Sequence, residues 1–326
     1  MHILAIVSRD LEKGSTKYRL AQYLDFLAAR GVSVEFVRRG EIDASTLEKA
    51  RRADLLFNQK CLINCSLAKP LIAASRRVVF DFDDAIYTRP GKPFSLLTQW
   101  KVRRRFHLWL CRADVVTTAN EFLAGYARRH SAAVEVVPMA LDLKNWHPAP
   151  SGQREQVVIG WAGAPVNIPL LERLDGVLSS LFGKSSSVKV AVFSGQKPRL
   201  SCPFEYHPFR PGGESEFVRK LDIGLLPLAD EEYARGKSPI KAIQYLASGV
   251  PVVGNVLGAT GEILNAGNSI AVSTEIEWRQ ALEKLIVDRA LARQLGRSGR
   301  LQIEKTHDFG KVAERLYQLL IGLPQE

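Results

Sequence analysis

Short apolar runs alternate with helical segments along this chain, and the alternation occurs twice. Segments 3–7, 32–37, 54–60, 78–82, 114–120 and 134–138 read as strands of a first half. The run opening at Val157, then 188–193, 222–228, 250–253 and 269–272, read as strands of a second. Between them, Leu20, Leu24, Leu27 and Ala28 recur at helical spacing until Gly31 closes the helix. Strands this uniformly apolar need cover on both faces, which crossover helices of a parallel sheet provide. The expected class is α/β, with two Rossmann-like domains facing each other across a cleft. Pro148, Pro150 and Gly152 mark a polar hinge, so the domains are expected at 1–150 and from 151 on.

The chain has 326 residues, enough for two ordinary domains, and a net charge of +11. That charge favours acidic partners, namely nucleoside diphosphates, anionic lipid surfaces or nucleic acid, without choosing among them. No apolar run reaches membrane-spanning length, and segment 1–7 reads as a strand and not as an export signal, so a cytoplasmic location is expected. Cys61, Cys65, Cys111 and Cys202 lack a metal-finger spacing and read as free, buried thiols of a reducing compartment. Segment 94–110 mixes bulky apolar with basic residues. It has two readings: a helix on an anionic membrane surface, at the inner face, or a helix packed between the sheet and a neighbour. No nucleic-acid-binding module surrounds its arginines, and no nucleic acid partner is expected.

Two motifs carry chemistry. In 236–254, Ser238 suits an N-cap, Pro239 a first helical position, and Gly249 a helix end before a short strand. Lys237 and Lys241 are four apart and Gln244 three further, so their side chains can gather beside the positive end of the helix. That is an anion site, or else a surface helix with solvated lysines. In 78–87, a buried strand delivers Asp81, Asp83 and Asp84 at its carboxyl end. Three carboxylates so close repel unless cations or donors hold them. They read as an Asp-x-Asp metal site or as caps of the next turn.

Gln-Tyr-Leu-Ala-Ser-Gly-Val-Pro-Val-Val, ending at Val253, resembles the donor motif of retaining GT-B glycosyltransferases of the family-4 type, enzymes of bacterial cell-surface polysaccharides. Gly236 and Gln244 stand where that motif has its two glutamates, as in a sub-branch with Gly-Lys-x-x-x-Lys. The resemblance implies a nucleotide-diphosphate sugar as co-substrate, no other cofactor and no metal, and transfer to a hydroxyl of a glycan, a lipid-linked acceptor or a small molecule. It implies donor contacts at Gly163, Lys237, Ser238, Lys241, Gln244 and Glu262, and at Gly14 and Ser15 in the loop after the first strand. It places Lys60, Asp83 and Asp84 on the acceptor side as catalytic candidates. It puts 207–210 beside the nucleobase, and makes 306–326 a helix crossing back to the first domain. Ala164 replaces a phosphate-binding arginine of many relatives. An epimerase on the same fold, or a silent nucleotide-sugar-binding subunit, is the alternative.

Overall fold

A computed structural model describes residues 1–8, 11, 14–148, 155–182 and 188–322. The expected hinge residues Pro150 and Gly152 lie outside the described residues. The strands are β1 (His2–Val7), β2 (Ser33–Arg38), β3 (Leu55–Gln59), β4 (Val78–Phe82), β5 (Val115–Thr118) and β6 (Val134–Val136). They form one parallel sheet in the order β2-β1-β3-β4-β5-β6. A second parallel sheet takes β7 (Val157–Ala162), β8 (Val188–Ser194), β9 (Glu205–Pro208), β10 (Ile223–Leu226), β11 (Val252–Gly254) and β12 (Ser269–Ala271). Its order is β12-β11-β10-β7-β8-β9. The α/β expectation holds for both halves.

The chain divides into two compact units. One comprises Met1–Ala140, Glu231–Ser238 and the described chain from Gly310 on; the other comprises Leu141–Asp230 and Pro239–Phe309. In the first unit, β1, β3 and β4 are almost wholly buried, and an aromatic cluster fills one face of the sheet. Phe80 stacks on Trp109 at 5.8 Å, and Phe82 meets Phe106 edge-on at 5.1 Å. The closing helix, Phe309–Ile321, packs within this unit, where Arg77 donates to the carbonyls of Leu319 and Leu320 at 3.0 and 2.8 Å. In the second unit, Trp161, Leu178, Val192, Trp278 and Leu282 belong to one apolar core. Each sheet has a place where the strand order reverses, beside β1 in one and β7 in the other. There the outgoing loops diverge and leave room at the carboxyl ends of the strands.

Three expectations need correction. Helix Ile240–Ala247 starts one residue later than Ser238 and Pro239 suggest, with Pro239 at the cap position and no side-chain cap. Lys237 therefore precedes the helix in extended conformation, and its four-residue spacing from Lys241 is not a helical one. Of the four cysteines only Cys61 and Cys202 are buried; Cys65 is half-buried and Cys111 is exposed.

Candidate functional site

Beside β1, the first unit gathers side chains from three strand ends. Helix Gly14–Arg19 follows β1, Lys60 follows β3, and Asp83 and Asp84 follow β4. Beneath them, Arg19 is buried and paired with Asp81, its Nε lying 3.1 Å from Oδ2. Thr117 donates to Asp81 Oδ1 at 2.7 Å, and Arg19 also donates to the carbonyl of Val137. Thr16 Oγ1 donates to Gln59 Oε1 at 3.3 Å. One of the three carboxylates is thus committed to a buried cation, and the helix after β1 is tied to β3, to β4 and to the exit of β6.

Lys60 sits above this layer in the left-handed region, with φ 46°. A non-glycine residue there costs energy that the surroundings must supply, which is why such positions mark constrained sites. Its N–H donates to the carbonyl of Asp81 at 2.7 Å. Its ammonium donates to Ser15 Oγ and lies 2.9 Å from Asp83 Oδ1 and 2.7 Å from Asp84 Oδ2. Burial works against the ammonium, but Asp83 and Asp84 outweigh it and raise the lysine pKa. Burial likewise opposes the Asp83 charge, yet Lys60 and a hydrogen bond with Ser15 hold that carboxyl below its usual range. For Asp84 the balance is opposite: burial and then the Asp83 charge push its pKa up, against the pull of Lys60. Two adjacent carboxyls with opposite shifts can divide a fixed charge from a proton acceptor.

Segment 231–238 is packed on this same unit. Glu231 Oε2 accepts from Gly91 N at 2.9 Å, and Asn120 Nδ2 donates to the carbonyl of Gly236 at 3.5 Å. A Cβ on Gly236 would stand 2.9 Å from both Ala85 Cβ and Leu123 Cδ2. A glutamate cannot enter there without moving the segment, which explains physically why glycine replaces the motif's first carboxylate. Lys237 follows; burial lowers its pKa, while Asp84 and Glu231 oppose that shift. Gly236→Glu is expected to lose about 1–3 kcal/mol of stability through overpacking, read from urea unfolding. An unchanged midpoint would mean the segment yields freely.

In the second unit, Lys241 lies in the first turn of helix Ile240–Ala247 and donates to the buried Gln244 Oε1 at 2.9 Å. Ser238, the last residue of the first unit's segment 231–238, is 6% exposed and its hydroxyl has no partner among the described residues. Tyr245, fully buried on the same helix, accepts from the Ala162 N–H at 2.9 Å and so fixes the helix to the end of β7. Gly163 follows directly; a Cβ there would stand 2.2 Å from the Trp161 ring, so the indole itself demands the glycine. Gly14 has φ 51° with open space about it, and Glu262 is exposed at the end of the 3-10 turn Gly258–Glu262. Beyond β8 and β9, Phe193, His207, Arg210, Glu216 and Phe217 are among the residues around a cavity of about 180 Å³. Phe217 stacks on Phe193 at 5.3 Å and meets His207 edge-on at 5.3 Å.

The structure therefore gathers Ser15, Lys60, Asp83 and Asp84, and separately pairs Lys241 with Gln244. Arg19, Asn120, Glu231 and Tyr245 are positioning residues not anticipated from the sequence. No set of three or more His, Cys, Asp or Glu side chains suited to a metal ion occurs among the described residues. No helix among them is long and apolar enough to cross a membrane.

No family model matches the sequence, and no curated protein does. Solved structures do match. The Anabaena protein Alr3699/HepE, in complex with UDP-glucose, superposes with a TM-score of 0.74 at 14% identity, covering 99% of this chain and 100% of that one. Sucrose-phosphate synthase from Thermosynechococcus elongatus gives 0.73 at 14% identity, over 98% of each chain. A glycosyltransferase from Rickettsia africae gives 0.73 at 10% identity, over 98% of each. At such identities the likeness is one of fold, and the chain has the α/β architecture of the GT-B class.

Proposed function

We propose that this GT-B-fold chain is a glycosyltransferase that moves a sugar from a nucleoside-diphosphate donor to an acceptor hydroxyl on a glycan, a lipid or a small molecule. The observation that carries this reading is the start of helix Ile240–Ala247. No side chain caps it, and Lys241 stands in its first turn. The N–H groups of a helix start and an ammonium together suit a diphosphate. The fold match to a UDP-glucose complex agrees with that chemistry.

Roles divide by unit. In the second unit, the helix start and Lys241 receive the negative charge that grows on the diphosphate as the bond from the sugar's anomeric carbon to the phosphate oxygen breaks. That charge is larger in the transition state than before it, so the contact accelerates the reaction and does not merely bind. Gly163, Gln244 and Glu262 serve the donor from this unit, and the aromatic cavity at Phe193 and Phe217 suits a flat base. In the first unit, Lys60 holds Asp83 charged, and Asp84 takes the proton from the acceptor oxygen as that oxygen bonds to the anomeric carbon. Ser15 holds Lys60, and Lys237 tempers the charge on Asp84. The positive charge between the two carboxylates is the chain's own Lys60, so transfer proceeds without a divalent cation. Retention at the anomeric carbon, which the family resemblance implies, requires the acceptor oxygen to approach on the face that the diphosphate leaves. The setting is cytoplasmic.

The test is binding. Thermal-shift titration with UDP-, GDP-, ADP- and dTDP-sugars is expected to find one base that stabilises the protein. Lys241→Ala should then weaken that nucleotide about 10- to 100-fold, the worth of one charge-assisted hydrogen bond. Unchanged affinity would remove the diphosphate from this helix.

A further inference from the structure

Helix Leu96–Arg112 carries two apolar faces. Phe106, Trp109 and Leu110, towards its end, are buried in the core of the first unit. The start of the helix is different. Leu96 is 86% exposed, Leu97 76% and Trp100 58%. Exposed cations surround them: Arg89 and Lys92 before the helix, and Lys101, Arg103 and Arg104 along it. Residues 85–113 hold seven lysines and arginines and no aspartate or glutamate. The Arg104 guanidinium lies 5.3 Å from the Trp100 ring centre, and Arg89 lies 5.0 Å from that of Phe94. Leu96, Gln99, Trp100, Arg103, Arg104 and His107 line an open cavity of about 450 Å³.

We propose that this face docks the protein on an anionic phospholipid bilayer. Leu96, Leu97 and Trp100 enter the boundary between headgroups and acyl chains, and the five exposed cations meet lipid phosphates. Charge complementarity selects this occupant. A second copy of the chain would bring the same positive face and be repelled. A nucleic acid backbone would satisfy the cations but leave three large apolar side chains in water, whereas the bilayer boundary takes both. Trp100 suits that boundary because its ring is apolar and its N–H can still reach a polar partner. The other half of the helix is anchored by Phe106 and Trp109, so the docking face is rigid and needs no folding on contact. Docking concerns where the protein works, and it holds whether or not the sugar-transfer reading does.

Vesicle flotation of the full chain, without any nucleotide sugar, tests this. The protein is expected to float with vesicles of phosphatidylglycerol mixed with phosphatidylcholine and to stay behind with phosphatidylcholine alone. Trp100 fluorescence should move to shorter wavelength on binding. The triple variant Leu96→Ser, Leu97→Ser, Trp100→Ser, and separately Arg103→Gln with Arg104→Gln, should each lower binding about tenfold or more, with salt weakening what remains. All five side chains are exposed, so an unchanged melting temperature should accompany the loss. Absence of flotation, flotation of the triple variant equal to the wild type, or retention on polyuridylate RNA without flotation would each overturn the proposal.

Discussion

Lys60→Met is expected to lower sugar transfer by about 10²- to 10³-fold, the usual cost of losing a preorganised charge at a reacting centre, and to reverse the sign of the Asp83 contribution to stability. Asp83 is 2% exposed and faces the Lys60 ammonium at 2.9 Å. In the wild type its folded pKa lies below the unfolded value of about 3.9. Its contribution to stability is therefore present above that value and lost as pH falls through the lower, folded one. Lys60 has the opposite sign: its pKa is raised, so its contribution is present below the unfolded value of about 10.4 and lost only as pH rises through the higher folded one. Methionine keeps the length of the side chain and removes the charge. Burial and Asp84 then dominate Asp83 and carry its pKa above the unfolded value. The variant's loss of stability relative to the wild type should be smallest below about pH 4 and grow as pH rises towards neutrality. Urea midpoints from pH 3 to pH 8 read this directly. A variant that keeps the wild-type acid profile would show that Lys60 does not hold Asp83.

Arg19→Met should be the most destabilising single change in the first unit, at about 3–5 kcal/mol. Both partners are dry: Arg19 is 3% exposed and Asp81 1%. Removing the guanidinium leaves a carboxylate with the Thr117 hydroxyl and no cation. It also frees the Val137 carbonyl, so the exit of β6 loses its tie to the first helix. Replacing both partners, as Arg19→Met with Asp81→Leu, should recover part of the loss, because an apolar pair has no charge to desolvate. A double-mutant cycle in urea measures the coupling. A single-variant loss under about 1 kcal/mol would mean that water reaches the pair, which the burial of both residues argues against.

Much of the fold was legible because its strands are short, apolar and flanked by helical spacing. In 78–82 the pattern breaks only at Asp81, and that exception is where Arg19 enters from 62 residues away. Nothing local to either residue announces the pair. The helix start after Lys237 was misread by one residue for a similar reason. Ser238 has the chemistry of a cap, but 231–238 is held by Ala85, Asn120 and Leu123 of the first unit, and that packing sets where the helix begins. Local propensity loses where distant side chains fix the backbone. The same holds at Lys60. Its left-handed turn is invisible in Asn-Gln-Lys-Cys, although it is this turn that brings the ammonium to Ser15, Asp83 and Asp84. The mixed character of 94–110 was plain in the sequence. That Leu96, Leu97 and Trp100 at its start are exposed while Phe106, Trp109 and Leu110 are buried required the helix to be placed on the sheet.

The most direct measurement is release of nucleoside diphosphate from the stabilising nucleotide sugar, followed over hours with EDTA present. The account predicts slow release by hydrolysis without an acceptor, unaffected by the chelator, faster when an acceptor hydroxyl is supplied, and lowered at least about tenfold in Lys241→Ala. Turnover that vanishes with EDTA and returns with manganese, or tight nucleotide binding with no release from any sugar donor, would contradict it.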